Sequence, residues 1–113
     1  MIINALDFGV KVDLTAYSSS TGVGMSVGTN IDSLALFHLR RSEVSSISSG
    51  TPSTYDFEKK YSIHIAFYPN NSINSLLIQT DDKDICVYMF ECLCNEIDIS
   101  YEAFAELYPE SVI

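Results

Sequence analysis

Apolar and polar residues alternate along the first part of the chain. Every second residue from Leu6 to Ala16 is apolar, and the residues between them are polar, charged or glycine. Because alternate side chains of an extended chain point to opposite faces, this pattern predicts a half-buried antiparallel strand. The Ser- and Gly-rich residues 18–22 predict a loop, and residues 23–27 predict a short returning strand. Together these segments predict a hairpin.

Residues 31–41 fit two kinds of structure. Several apolar residues between Ile31 and Leu39 recur at helical spacing, yet the continuous apolar run fits a buried strand equally well. The pattern leaves both interpretations open, and strand is the one that we favour. Residues 42–54 include six Ser and two Thr, a composition that predicts a long loop.

A second hairpin is predicted between residues 61 and 80. Apolar residues occupy every second position from Tyr61 to Phe67, and Pro69-Asn70-Asn71 is a turn sequence. Residues 73–80 then supply the returning strand.

Two helices are predicted after this hairpin. The carboxylates of residues 81–84 favour the start of a helix, because they complement free backbone N–H groups and the positive end of the helix dipole. Apolar residues then recur at three- and four-residue spacing to about Asn95, which is typical of an amphipathic helix. Ser100 is suited to cap a second, shorter helix, and Pro109 ends it.

Strands followed by helices indicate an α+β fold. We expect an antiparallel sheet or partly open barrel of about five to seven strands, which the amphipathic helix caps, and a short extra helix. The hairpin at 61–80, the acidic turn at 81–84 and the apolar helix at 85–94 resemble the closing strands and capping helix of pleckstrin-homology-like domains. The resemblance covers about residues 42–96. Members of that superfold that bind phosphoinositides carry Lys and Arg around the first hairpin loop, whereas residues 18–30 contain neither. Lipid binding is therefore not implied.

The composition is that of a single packed domain spanning residues 1–113, with 47% hydrophobic residues, seven Tyr and six Phe. The predicted core residues are Phe8, Val10, Val12, Leu36, Ile63, Ile65, Phe67, Leu77, Met89, Phe90 and Leu93. The sequence contains no apolar run of membrane-spanning length, and its first residues lack the features of a signal peptide. We therefore expect a soluble, cytoplasmic protein that does not bind a membrane.

Negative charge is concentrated in the last part of the chain. Residues 81–113 contain nine acidic residues and one basic residue, Lys83, so their net charge is −8 of the total of −9. Such a concentration lowers the stability of a compact domain, and it is often retained because a basic partner docks on it; the alternative is a face that only keeps the protein soluble. The expected partner-binding residues are Asp82, Asp84, Glu91, Glu96, Asp98, Tyr101, Glu102, Glu106, Tyr108 and Glu110.

Catalytic and metal-binding patterns are weak. Gly24-Met25-Ser26-Val27-Gly28 has the spelling of a hydrolase nucleophile turn, but the chain is too short for the sheet and crossover helices which that motif needs. Cys86, Cys92 and Cys94 have neither metal-ligand spacing nor the even number of a disulfide framework, which predicts three reduced thiols. His38 and His64 lie on apolar segments. We therefore expect no enzyme activity, no metal and no cofactor.

The sequence thus favours a non-enzymatic acidic binding protein. Its overall character is similar to that of small bacterial immunity proteins, which neutralise a toxin such as a nuclease, and of phage inhibitors of defence effectors. A net charge of −9 opposes direct binding of nucleic acid. Two alternatives remain open: a chaperone or adaptor for a secreted effector, and a phage or self-assembling structural subunit, with a homodimer compatible with any of them.

Overall fold

The computed structural model of the protein describes residues 1–20, 28–50, 61–68 and 73–112. The strands are β1 (Ile2–Asn4), β2 (Val12–Ser20), β3 (Gly28–Leu34), β4 (Leu36–His38), β5 (Val44–Gly50), β6 (Tyr61–Phe67) and β7 (Ser75–Thr80), and the α-helices are α1 (Lys83–Asn95) and α2 (Tyr101–Leu107). Short 3-10 helices cover Leu6–Lys11, Arg41–Glu43 and Pro109–Val112.

Five of these strands form one open antiparallel sheet. Their order is β3-β2-β7-β6-β5, so the predicted hairpin of β6 and β7 joins the pair of β2 and β3 through β7 and β2. The prediction of a loop at residues 18–22 is wrong for residues 18–20, which continue β2 and pair with β3. The short strands β1 and β4 form a separate antiparallel pair, and Ile99 extends it through a parallel bridge to Ile3. The predicted α+β class is therefore confirmed.

Helix α1 covers one face of this sheet. Asp82 caps the helix, because its side chain accepts hydrogen bonds from the backbone N–H groups of Asp84 at 2.9 Å and Ile85 at 3.4 Å. Ile85, Met89 and Leu93 recur every four residues and are fully buried. They pack in one core with the inward side chains of β6 and β7, which confirms the predicted capping helix.

An aromatic cluster attaches α2 to the rest of the fold. Ser100 caps α2 as predicted, with its Oγ accepting from the N–H of Ala103 at 3.2 Å. Phe104 is fully buried, and its ring centroid lies 5.2 Å from that of Tyr108, 5.5 Å from that of Tyr88 and 6.0 Å from that of Phe8. Aromatic contacts therefore join α2 to α1 and to the 3-10 helix that precedes β2.

The prediction of a strand over residues 6–16 is wrong in its first half. Residues Leu6–Lys11 form a 3-10 helix interrupted at Gly9, which has a φ of 59° that side chains rarely permit. The carbonyl of Ala35 accepts hydrogen bonds from the N–H groups of Ala5 and Leu6, which pulls the chain out of the sheet. As a result Val10 is 90% exposed rather than in the core, and the strand begins at Val12.

The long loop predicted at residues 42–54 is also wrong in part. Residues Val44–Gly50 form an edge strand on β6, with serine side chains exposed, because an edge strand needs little apolar surface. Strand is confirmed as the structure within residues 31–41. Leu36 was expected in the core but is exposed, and Leu77 and Phe90 are half-buried. Residues 23–27 and the predicted turn at 69–71 lie outside the described residues.

Candidate functional site

Most of the expected partner-binding carboxylates lie on the surface of the helical layer. Those with exposed side chains are Glu91, Glu96, Asp98, Glu102, Glu106 and Glu110. Asp82 and Asp84 are half-buried near the start of α1. Lys83 is the single base in residues 81–113, so this layer carries a negative potential.

A pair of hydrogen bonds joins the two helices. The hydroxyl of Tyr88, on α1, donates to the carbonyl of Ser100 at 3.2 Å and accepts from the N–H of the same residue at 3.3 Å. Burial raises the pKa of Tyr88, and the hydrogen bond from the backbone of Ser100 offsets part of that rise. Ser100, the residue that caps the start of α2, is therefore held by two hydrogen bonds to the middle of α1.

A mostly apolar cleft opens between the helices beside this junction, and we call it the interhelical cleft. Its volume is about 190 Å³. Tyr88 and Cys92 form its floor, and both are buried. The rest of its lining is formed by Glu91, Asn95, Ile97, Ala103 and Leu107. Ile97 is 55% exposed and Leu107 is 67% exposed, so two large aliphatic side chains reach solvent at this cleft.

A second cleft of about 300 Å³ adjoins the first, and Leu107 lines both. Asp84 from α1 and Glu110 from the 3-10 helix after α2 line this adjoining cleft. The three described charged residues that line the two clefts, Asp84, Glu91 and Glu110, are all acidic. The structure thus brings carboxylates from both helices to the borders of an apolar surface.

Helical geometry places two further carboxylates beside this surface. Glu106 lies one turn after Ala103 and next to Leu107 on α2, and Glu102 lies four residues before Glu106. Both side chains are exposed. The acidic side of α2 is therefore continuous with the border of the interhelical cleft.

The remaining expected residues have structural contacts of their own. Asp82 caps α1 and lines a different cleft, together with Lys11 and Tyr61, so it lies apart from the interhelical cleft. Asp98 Oδ1 accepts from the N–H of Ile2 at 2.7 Å, which ties the segment between the helices to β1.

The rings of both expected tyrosines pack in the aromatic cluster. The centroid of Tyr101 lies 5.3 Å from that of Phe8 in an edge-on arrangement, and the ring of Tyr108 stacks on Phe104. Both tyrosines are only half-buried, so part of each faces solvent at the acidic surface.

The cysteines and histidines do not form a common site in the described residues. Cys86 and Cys92 are buried and Cys94 is exposed, and all three are free. Burial raises the pKa of the Cys86 and Cys92 thiols. Residues 1–20, 28–50, 61–68 and 73–112 contain no group of three or more His, Cys, Asp or Glu side chains placed to hold a metal ion.

The two histidines occupy different sheets. His38 is opposite Ile2 in the small sheet, whereas His64 pairs with Ser48 and Leu77 in the large one. Both side chains are exposed, and they are not cross-strand neighbours. Ser26 lies outside the described residues.

Sequence reasoning did not identify the apolar part of this site. Ile97 and Leu107 are absent from the expected partner-binding residues, which are all acidic residues and tyrosines. A signal was present in α2, where Ala103, Phe104, Ala105 and Leu107 spread apolar residues around much of a seven-residue helix. Because one side of such a helix packs on the core, another apolar side is left outside it.

Comparisons of the chain with protein-family models, with curated proteins and with solved structures found no match. Among the described residues, no helix is both long enough and apolar enough to cross a membrane.

Proposed function

We propose that the protein is a non-enzymatic binding protein whose acidic helical layer docks on a basic protein partner, as an immunity protein or inhibitor docks on the toxin nuclease or defence effector that it neutralises. The observation that carries this proposal is the position of the carboxylates. They border an open apolar cleft, and several lie where they lower the stability of the free protein.

Carboxylates at the C-terminal ends of both helices lower the stability of the free protein. The C-terminus of a helix carries partial negative charge, so Lys or Arg is favourable there and a carboxylate is unfavourable, by about 0.3–1 kcal/mol at an exposed position. The last turns of α1 and α2 hold no Lys or Arg. Instead, Glu96 is the residue at the C-terminal cap of α1, and Glu106 lies in the last turn of α2.

Repulsion between neighbouring carboxylates adds to this cost. Glu102 and Glu106 are four residues apart on α2, and like charges at that spacing destabilise a helix by a few tenths of a kcal/mol, about 0.2–0.5. Lys or Arg side chains of a docked partner reverse the sign of both effects, and a complementary field also speeds association. Carboxylates that only keep a protein soluble can lie anywhere on its surface, so solubility alone does not require them at helix C-termini or four residues apart on one helix.

The proposal is tested with the partner recovered by pull-down from the native host. The variant Glu102→Lys/Glu106→Lys reverses charge on α2, and Asp7→Lys/Asp13→Lys makes the same change in charge at exposed positions before and within β2. We expect the first variant to weaken binding far more than the second. Association should also slow as salt shortens the Debye length from about 10 Å to about 3 Å.

Circular dichroism and urea unfolding establish that both variants fold. Equal losses in the two variants mean that the charge acts only as a diffuse field. Unchanged binding in both means that it only keeps the protein soluble, and the proposal is then wrong.

A cytoplasmic location belongs to the same proposal. Three free cysteines in one short segment fit a reducing compartment, where thiols persist. The likeness to pleckstrin-homology-like domains and the role of chaperone or adaptor for a secreted effector stay predictions.

Self-assembly is a second candidate function, favoured by strand β5. In the part of the chain that the structure describes, β5 pairs with β6 alone, and Val44–Gly50 contains no charged residue and no proline. Natural sheets commonly protect an edge strand with such residues. Light scattering over a range of protein concentration tests this candidate, because pairing through β5 predicts a dimer or larger assembly.

A further inference from the structure

We infer that the interhelical cleft is the docking site for an amphipathic basic helix of the partner. Apolar residues of that helix contact Ile97, Ala103 and Leu107, and its Lys or Arg side chains pair with the carboxylates of Glu91 and Glu110. This inference rests on the proposed function and specifies the partner chemistry at its centre.

Two large aliphatic side chains of the interhelical cleft are exposed to solvent. Ile97 and Leu107 are each more than half exposed, and they line the same cleft on the two sides of Ala103 in the sequence. Single exposed apolar residues are ordinary, but two around one concave surface with a buried floor form the kind of patch that a partner covers. Contact with apolar side chains removes them from water.

The size of the two clefts indicates the kind of ligand that they bind. The interhelical cleft, at about 190 Å³, is smaller than the cavities of about 300–1,000 Å³ that bind drug-sized molecules. Together with the adjoining cleft it follows α1 from Asn95 back to Asp84, eleven residues or about 16 Å of helix rise. That length matches about three turns of a partner helix, whose side chains at three- and four-residue spacing enter the two clefts.

The described charges around the two clefts are negative. The described charged residues that line the two clefts are Asp84, Glu91 and Glu110, and Glu106 lies beside them on α2. An apolar centre with a charged border is the usual arrangement of a protein interface. Because every one of these charges is negative, the complementary helix is basic, and an acidic helix is repelled.

The experiment uses synthetic peptides of about 18 residues, or five helical turns. One peptide carries Leu at helical three- and four-residue spacing and Lys elsewhere; a second has the same composition with the stripe destroyed; a third carries Glu in place of Lys. Binding to the full chain is measured by fluorescence anisotropy. We expect the amphipathic Lys peptide to bind about tenfold or more tightly than the permuted peptide, and the Glu peptide not to bind.

Matched variants locate the contact. Ile97→Gln/Leu107→Gln removes the apolar side chains of the cleft without changing its charge. Leu6→Gln/Leu36→Gln makes the same change at residues that are 71% and 56% exposed elsewhere on the surface. The cleft variant should weaken binding of the amphipathic Lys peptide by about tenfold or more, and the control variant by less than about twofold.

The outcomes separate the two proposals. If both Lys peptides bind equally and the cleft variant binds like the parent, the acidic surface binds basic chains without using the cleft, and the inference is wrong while the proposed function stands. If neither Lys peptide binds better than the Glu peptide, both are wrong.

Discussion

The aromatic cluster gives the sharpest prediction about stability, through the variant Phe104→Ala. Phe104 is fully buried, and its ring contacts those of Phe8, Tyr88, Tyr101 and Tyr108 at centroid distances of 5.2–6.0 Å. Truncating a buried Phe costs about 3–5 kcal/mol, from lost burial and from the cavity that remains. The short helix α2 has little other buried surface, since Phe104 is its only fully buried residue.

Urea unfolding followed by circular dichroism measures this loss. With a slope of about 1.5 kcal/mol per M for a small domain, the urea midpoint should fall by roughly 2–3 M. Phe90→Ala is the matched control, because it removes the same side chain from a half-buried position on α1. Its expected cost is about 1–2 kcal/mol, in proportion to the smaller buried area.

Hydrogen exchange distinguishes local from global loss. If Phe104 attaches α2 to the fold, the amides of α2 should exchange faster in the Phe104→Ala variant relative to those of α1. A midpoint that falls no further in Phe104→Ala than in Phe90→Ala would refute the role assigned to the aromatic cluster.

Three further predictions concern thiols, pH and the end of α1. A thiol reagent should modify Cys94 rapidly and Cys86 and Cys92 slowly in the folded protein, because burial protects the latter two and raises their pKa, and all three rapidly in denaturant. Burial raises the pKa values of Cys86, Cys92 and Tyr88 above their ordinary values of 9.0, 9.0 and 10.0, so these groups stay protonated in the folded protein at pH values where they ionise in the unfolded chain. The melting temperature should therefore fall as pH rises above about 9. A Cys86→Ala/Cys92→Ala variant should show a shallower fall, and equal slopes would contradict this cause. Glu96→Gly should raise the free energy of unfolding by about 1 kcal/mol. The substitution removes the backbone strain of a side chain at a φ of 57° and takes a negative charge away from the C-terminus of α1, and a lower melting temperature would contradict this.

Helices α1 and α2 were predictable because their signals are local. The carboxylates before Ile85, the serine at position 100 and the spacing of apolar residues act within a few residues of one another. The hairpin of β6 and β7 was predictable for the same reason, since period-two alternation directly reports which face is buried.

Other parts of the fold depend on contacts that a local pattern does not contain. Alternation from Leu6 to Val10 is a strand pattern, yet Leu6–Lys11 form a 3-10 helix in which Phe8 is buried and Leu6 and Val10 are exposed. The carbonyl of Ala35, distant in sequence, holds Ala5 and Leu6 in this arrangement through hydrogen bonds that no local pattern shows. Strand β5 was missed because its polar residues need only one neighbouring strand. The cleft residues Ile97 and Leu107 were not predictable as an exposed apolar surface, because the sequence does not show where α2 lies against α1.

The double hydrogen bond between Tyr88 and Ser100 has a consequence for the entropy of binding. It holds the start of α2 at one position on α1 before any partner arrives, so the spacing between the cleft walls is already set. A partner that enters a preorganised cleft orders fewer groups and retains more of its interaction energy as affinity. Removing that single hydroxyl in Tyr88→Phe leaves all charges on the surface in place, yet it converts a fixed cleft into one whose width must be selected during docking.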